Sequence, residues 1–209
     1  MRRHRLALVV IGWGCLIGLA LLPRLPGPYW PTAASGITAT LLAFTLPITG
    51  ATICLLLEQL WRREKAGTAS PNGNTVFAAI VLRIVVFVIA VHTLTLIALA
   101  GVLPRMVNGG RIVLLLLGVT IVLIGDLLPR LRRNHVIGIR TARTMADPHV
   151  WARTHRAAGY AMVGLGLILS VVAVTAPGPV MPAIVVPVAA VGTAAVVLVY
   201  RQHIPGRIE

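Results

Sequence analysis

Six long apolar stretches, at approximately 6–22, 38–60, 75–102, 112–128, 157–176 and 181–200, leave this chain little choice of environment. A helix needs about 20 apolar residues to cross the hydrocarbon core of a bilayer, and each stretch approaches or exceeds that length. In hydrocarbon a single apolar segment satisfies its own backbone only as a helix. The expected fold class is therefore all-α: a polytopic membrane protein, one membrane domain over residues 1–209, built as a six-transmembrane-helix bundle. Composition agrees. The chain is 11% charged, against roughly a quarter in a soluble domain, which is too little polar surface to coat a globule in water. The first stretch follows Met1-Arg2-Arg3-His4-Arg5 and is read as a retained helix. The residues after it, LLPRLPGPYWP, offer no small-residue cleavage site. Pro47 and Pro187 fall inside spans, where proline is tolerated and often marks a kink.

The basic residues set the orientation, because Lys and Arg near span ends resist translocation. With the N-terminus inside, fifteen basic residues lie on the cytoplasmic side and three outside (Arg24, Arg105 and Arg111), while Arg83 lies within a span. This split places both termini in the cytoplasm. It also places there the dense polar segment 129–156, with Arg130, Arg132, Arg133, Arg140, Arg143, Arg153 and Arg156. The net charge of +14 is thus the signature of contact with anionic headgroups of a lipid bilayer. A nucleic-acid partner is not expected, since no aromatic residues interleave with the basic clusters as a stacking platform needs. Cys15 and Cys54 lie inside apolar stretches and form neither a redox pair nor a zinc spacing.

Ionisable groups at membrane depth are costly and therefore informative. Glu58, Arg83 and Asp126 fall near the same cytoplasmic level on spans two, three and four, so Arg83 is expected either to pair with a carboxylate, locking neighbouring helices, or to snorkel to the headgroups on its long stem. His92 lies nine residues beyond Arg83, on the opposite face of its helix at 3.6 residues per turn, and reads as a packing histidine. Gly14 and Gly18, and Gly166 with Ser170, are small-residue pairs that let helices approach closely.

The 129–156 segment has an internal grammar. Asp147-Pro148 is a helix start, with Asp to cap free amides and Pro at the first helical position. From there a helix can run unbroken into the fifth span, with Trp151, His155 and Gly159 on one face. Asn134 and Gly138-Ile139-Arg140-Thr141 read as an ordered turn, since Asn bonds locally and Gly accepts positive φ. Arg140 is expected to bond a helix-end carbonyl or a carboxylate, with Asp126 the first choice. Arg132 and Arg133 are assigned to lipid contact. Enzyme signatures are lacking: there is no HExxH, no GxSxG and no phosphate-cradling glycine loop. Asp147, His149 and His155 fit no zinc spacing. No cofactor, metal site or catalytic residue is expected.

From Gly125 to about Gly166 the order Gly125, Leu128-Pro129, Asn134, Gly138-Ile139-Arg140-Thr141, Thr144, Trp151, Thr154-His155-Arg156, Gly159 resembles the SdpI family. These are bacterial membrane immunity proteins against the sporulation-delaying toxin, together with their uncharacterised relatives. The resemblance implies a multi-pass protein of the bacterial plasma membrane that protects against a membrane-active peptide toxin. For the family's best-known member it also implies sequestration of a cytoplasmic regulator. The functional motif it marks is Asn134, Gly138, Ile139, Arg140, Thr141, Trp151, Thr154, His155 and Arg156. Where the family commonly has Pro-Trp after Gly-Ile-Arg-Thr, this chain has Ala142-Arg143. The alternative from another class is a small transporter or ion-coupled permease using Arg83, Glu58, Asp126 and His92. Oligomeric state is not legible.

Overall fold

The computed structural model describes residues 2–25, 34–65, 71–104 and 108–177, with the isolated positions 190 and 194. All regular structure among them is helical: α1 Arg2–Leu21, α2 Ala34–Lys65, α3 Pro71–Leu99, α4 Gly109–Leu127, a short α5 Ala142–Ala146, and α6 Pro148–Thr175. Five of these helices, all but α5, are long and apolar enough to cross a membrane. They overlap the first five apolar stretches, α6 beginning nine residues before the fifth; the sixth, 181–200, lies outside the described residues apart from 190 and 194. Their outward faces are apolar, with Leu19, Ile48, Val171 and Val174 exposed. In water so much exposed aliphatic surface would be an aggregation hazard. In a bilayer it is the lipid contact.

Two helix groups meet along α3. On one side α1 packs against α2 and α3, and on the other α4 joins α3 to α6. The first group is filled by Ala7 and Ile11 of α1, Cys54 and Trp61 of α2, and Phe77, Val81, Val85 and Ile89 of α3. Trp61 and Phe77 stack with ring centroids 4.3 Å apart and planes 7° from parallel, an offset aromatic contact that ties α2 to the start of α3.

Pro47 sits within α2 without ending it. Proline has no N–H, so the carbonyl four residues earlier, that of Ala43, loses its helical donor. His92 of α3 supplies the replacement: its Nε2 bonds the Ala43 oxygen at 3.1 Å, and the ring is buried. The expected packing histidine therefore has a specific task. On α1 the Gly14/Gly18 pair makes room at the same place. A Cβ on Gly18 would stand 2.6 Å from the Ala43 oxygen, and one on Gly14 would meet Ile89 at 3.0 Å.

Among the described helices the α4–α6 pair is the most intimate, and glycine is the reason. Gly118 and Gly125 of α4 face Gly166 and Gly159 of α6. An added Cβ on Gly166 would come within 2.5 Å of the Gly118 carbonyl, and one on Gly159 within 2.7 Å of the Gly125 carbonyl. In lipid, association depends on close backbone packing rather than on hydrophobic driving force, and such spacing supplies it. Leu114, Leu169 and Ala173 fill the remainder. At the end remote from the 129–156 segment, Arg111 in the first turn of α4 crosses to the last carbonyls of α6. Its Nη2 donates to Ala176 O at 2.6 Å and its Nη1 to Val174 O at 3.3 Å. A cation there satisfies groups a helix leaves open and suits the negative end of its dipole. In the sequence Arg111 reads only as an outer-loop charge.

Candidate functional site: a folded loop on the end of the bundle

Where α4 ends, the chain makes one 3-10 turn at Leu128–Arg130, carrying Pro129, and then loses regular structure. Asn134 organises the next stretch. Its Oδ1 accepts from the N–H groups of Val136 (2.9 Å) and Ile137 (2.8 Å), and its Nδ2 donates to the Arg132 carbonyl at 2.8 Å. This local side-chain bonding is the turn chemistry expected of asparagine. It turns Val136 and Ile137 inward onto the core shared by α1, α2 and α3. The loop is therefore seated in the bundle.

Gly138 comes next, with φ +120°, a conformation other residues rarely adopt. It lies against the rings of Trp151 and His155. A Cβ at this position would stand 2.5 Å from His155 Nε2 and 3.0 Å from Trp151 Cη2. The two rings stack on each other with centroids 3.9 Å apart, and both are buried. Each then holds a different part of the loop. Trp151 Nε1–H donates to the Leu131 carbonyl at 2.7 Å. His155 Nε2 accepts the Ile139 N–H at 3.1 Å, while its Nδ1 bonds the Trp151 carbonyl at 2.9 Å. With Nε2 accepting, the ring is the neutral tautomer that carries its proton on Nδ1 and donates it back along the helix.

The other side of Ile139 is held by Thr144, whose Oγ1 donates to the Ile139 carbonyl at 2.8 Å. Thr144 and Thr141 also form a reciprocal cap on α5. Thr141 N–H donates to Thr144 Oγ1 at 2.8 Å, and Thr144 N–H donates to Thr141 Oγ1 at 3.2 Å. Asp147 caps α6, accepting from His149 N–H at 2.7 Å. The expected start at Pro148 and the inward face of Trp151, His155 and Gly159 are both present. Beneath the loop, Leu131 and Trp151 pack with Ala79 and Ile80 of α3 and Leu127 of α4.

Two assignments change. Arg140 Nη1 donates to the carbonyl of His135 within the loop; it does not reach Asp126. That carboxylate belongs to Arg130, one turn away at 3.1 Å, because the i,i+4 partner on its own helical path is nearer than the loop tip. Arg133, expected at the lipid surface, also closes the other end of α5, its Nη1 donating to Met145 O at 2.9 Å and more weakly to Ala146 O at 3.4 Å. Thr154 is buried and Arg156 is exposed. Thr144, fully buried, belongs to the site as well; it stands in the resemblance but not among the residues expected to function. The Thr141-x-x-Thr144 spacing is the signal for it in the sequence, a variant of the capping box.

The ionisable residues at membrane depth lie elsewhere. Glu58 is paired with Arg62 one turn along α2 at 2.6 Å. Arg83 crosses from α3 to α4 and donates to the Leu123 carbonyl, so it does join neighbouring helices, through a backbone oxygen. No group of three or more His, Cys, Asp or Glu side chains capable of holding a metal occurs among the described residues.

Gly138, Ile139, Thr141, Thr144, Trp151 and His155 bond or pack against one another, and Asn134 sets the turn that leads into them. Residues 130–200 match the SdpI/YfhL protein family. The match begins one residue into the loop and runs through α6 and beyond it. No curated protein and no solved structure matches the chain.

Proposed function

We propose that this chain is a non-enzymatic SdpI-type protein of the bacterial plasma membrane, with both termini cytoplasmic, that protects the cell from a membrane-active peptide toxin. A signalling role through a cytoplasmic regulator is part of the same reading. The observation that carries it is the folded loop. Asn134, Gly138, Ile139, Thr141, Trp151 and His155, all within the matched residues 130–200, lie in the self-bonded structure seated on the bundle end, which supports the reading. Membership suggests a membrane immunity-type protein. The embedded polar groups give the transport reading less support, since His92 is engaged on the Ala43 carbonyl and Asp126 on Arg130.

The test is expression in a strain sensitive to the sporulation-delaying peptide. Survival of challenged cells that depends on Trp151 and Gly138, at unchanged membrane abundance, is the expected result. Equal killing with and without the protein would remove the toxin reading. Flux into proteoliposomes abolished by His92→Ala would replace it with transport.

A further inference from the structure

The same two turns of α6 that hold the loop present a second, unrelated face. At 100° per residue, His149, Arg153, Arg156, Tyr160, Gly164, Leu167, Val171 and Val174 fall within an arc of about 80°, opposite the buried Trp151, His155 and Ala158. All eight are exposed, Tyr160 at 70% and Val174 at 64%. The stripe changes character once along its length. It is cationic at Arg153 and Arg156, phenolic at Tyr160, free of any side chain at Gly164, and purely aliphatic beyond.

The arginines on this stripe differ from those of the loop proper. Arg130 is paired with Asp126, Arg133 with the end of α5, and Arg140 with His135. Among the described residues neither Arg153 nor Arg156 has a protein partner. They stand one turn apart on the same side, both above Tyr160, a residue type that sits at the headgroup level of membrane interfaces. Two guanidinium groups without a partner among the described residues suit a phosphodiester, and the aliphatic stripe below them, with an open step at Gly164, suits an acyl chain.

We infer that this face of α6 is a binding site for one anionic phospholipid of the cytoplasmic leaflet. Its phosphate lies between Arg153 and Arg156, and its chain runs past Tyr160 and Gly164 along Leu167 and Val171. The inference stands apart from toxin immunity. An acidic protein partner would need the cationic turns but would have no use for the aliphatic continuation on the same face, so a lipid is the better fit.

The experiment uses the full chain in neutral detergent, titrated with phosphatidylglycerol, phosphatidylcholine or inorganic phosphate, and bound lipid is read by native mass spectrometry. A basic residue near an anionic surface is worth about fivefold in affinity, so Arg153→Gln with Arg156→Gln should weaken phosphatidylglycerol binding about 25-fold. The double Lys variant should retain most of it. Arg143→Gln, on an exposed α5 arginine away from the stripe, should leave binding unchanged. Equal loss in Arg143→Gln would mean diffuse charge attraction and would overturn the site. So would phosphatidylcholine binding as well as phosphatidylglycerol, or inorganic phosphate displacing the lipid at equal concentration.

Discussion

Pro47 and His92 share one oxygen atom, the carbonyl of Ala43, which the proline leaves without a donor and the histidine satisfies from the neighbouring helix. The relationship makes a definite double-mutant prediction. His92→Ala alone orphans a buried carbonyl and should destabilise the protein by about 1–3 kcal/mol. In the double variant with Pro47→Ala, the new N–H at position 47 can bond Ala43 again. Its loss should then be smaller than the sum of the two single losses. Unfolding titrations of all four proteins measure the coupling, and strict additivity would show that the shared oxygen is not what links them.

Gly138→Ala should open the loop. The substitution meets the His155 ring at 2.5 Å and sits at φ +120°, where strain alone costs on the order of 1–3 kcal/mol. Trypsin should cut after Arg140 and Arg143 much faster than in the parent, with the helical content unchanged. An unaltered cleavage rate would mean that Gly138 is not seated on the Trp151–His155 stack.

The loop arginines separate by what they bond. Trp151→Ala removes a buried ring and its bond to Leu131, a loss of about 3–5 kcal/mol for a large aromatic in a core. Arg133→Ala and Arg140→Ala each remove exposed bonds to carbonyls and should cost less, about 0.5–1.5 kcal/mol. Hydrogen exchange at Ile139 and Met145 distinguishes them: Trp151→Ala should speed both, while Arg133→Ala should act mainly at the end of α5. Similar exchange in all three variants would reduce the segment to a charge collar.

The α4–α6 seam predicts that Gly118→Ala and Gly166→Ala destabilise by about 1–3 kcal/mol, because each methyl group meets backbone of the facing helix. Gly164→Ala, with open space around it, should be neutral or slightly stabilising, since alanine is the better helix former. Denaturation in SDS, following α4–α6 separation through an engineered fluorophore pair, would report the difference.

Orientation can be tested by reporter fusions truncated at Gly73, Asn108, Asn134 and Pro177. The charge distribution predicts cytoplasmic activity at Gly73 and Asn134 and external activity at Asn108 and Pro177. An external report at Asn134 would invert the bundle and place the folded loop outside the cell.

Much of this architecture is legible in the sequence because bilayers impose simple rules. Apolar length locates the first five spans, and Asp147-Pro148 locates the start of α6 to the residue. Asn134, Gly138, Trp151 and His155 can be named because their chemistry is local: a turn, a positive φ, a helical face. The partner across space is what a sequence does not supply. Arg140 and Arg133 both end on backbone carbonyls, which every residue owns and no side-chain pattern marks, so the carboxylate expected for Arg140 fails and the α5 bond of Arg133 goes unforeseen. His92 and Pro47 each stand out alone, but 45 residues separate them. Only the packing of α2 on α3 brings the proline's missing donor and the histidine together. The short α5 escapes notice because five residues give no periodicity to read.

Thr144, Trp151 and His155 are buried and committed to the loop itself, so they have little left to offer a visitor. The two positions at which this chain departs from the Pro-Trp common in the SdpI family, Ala142 and Arg143, lie on the outer side of α5, exposed and outside every side-chain bond of the loop. An exchange there can alter what the surface presents while the fold beneath stays intact. What the loop shows to its surroundings is thereby a property of the rind, and it can change without touching the buried bonds beneath.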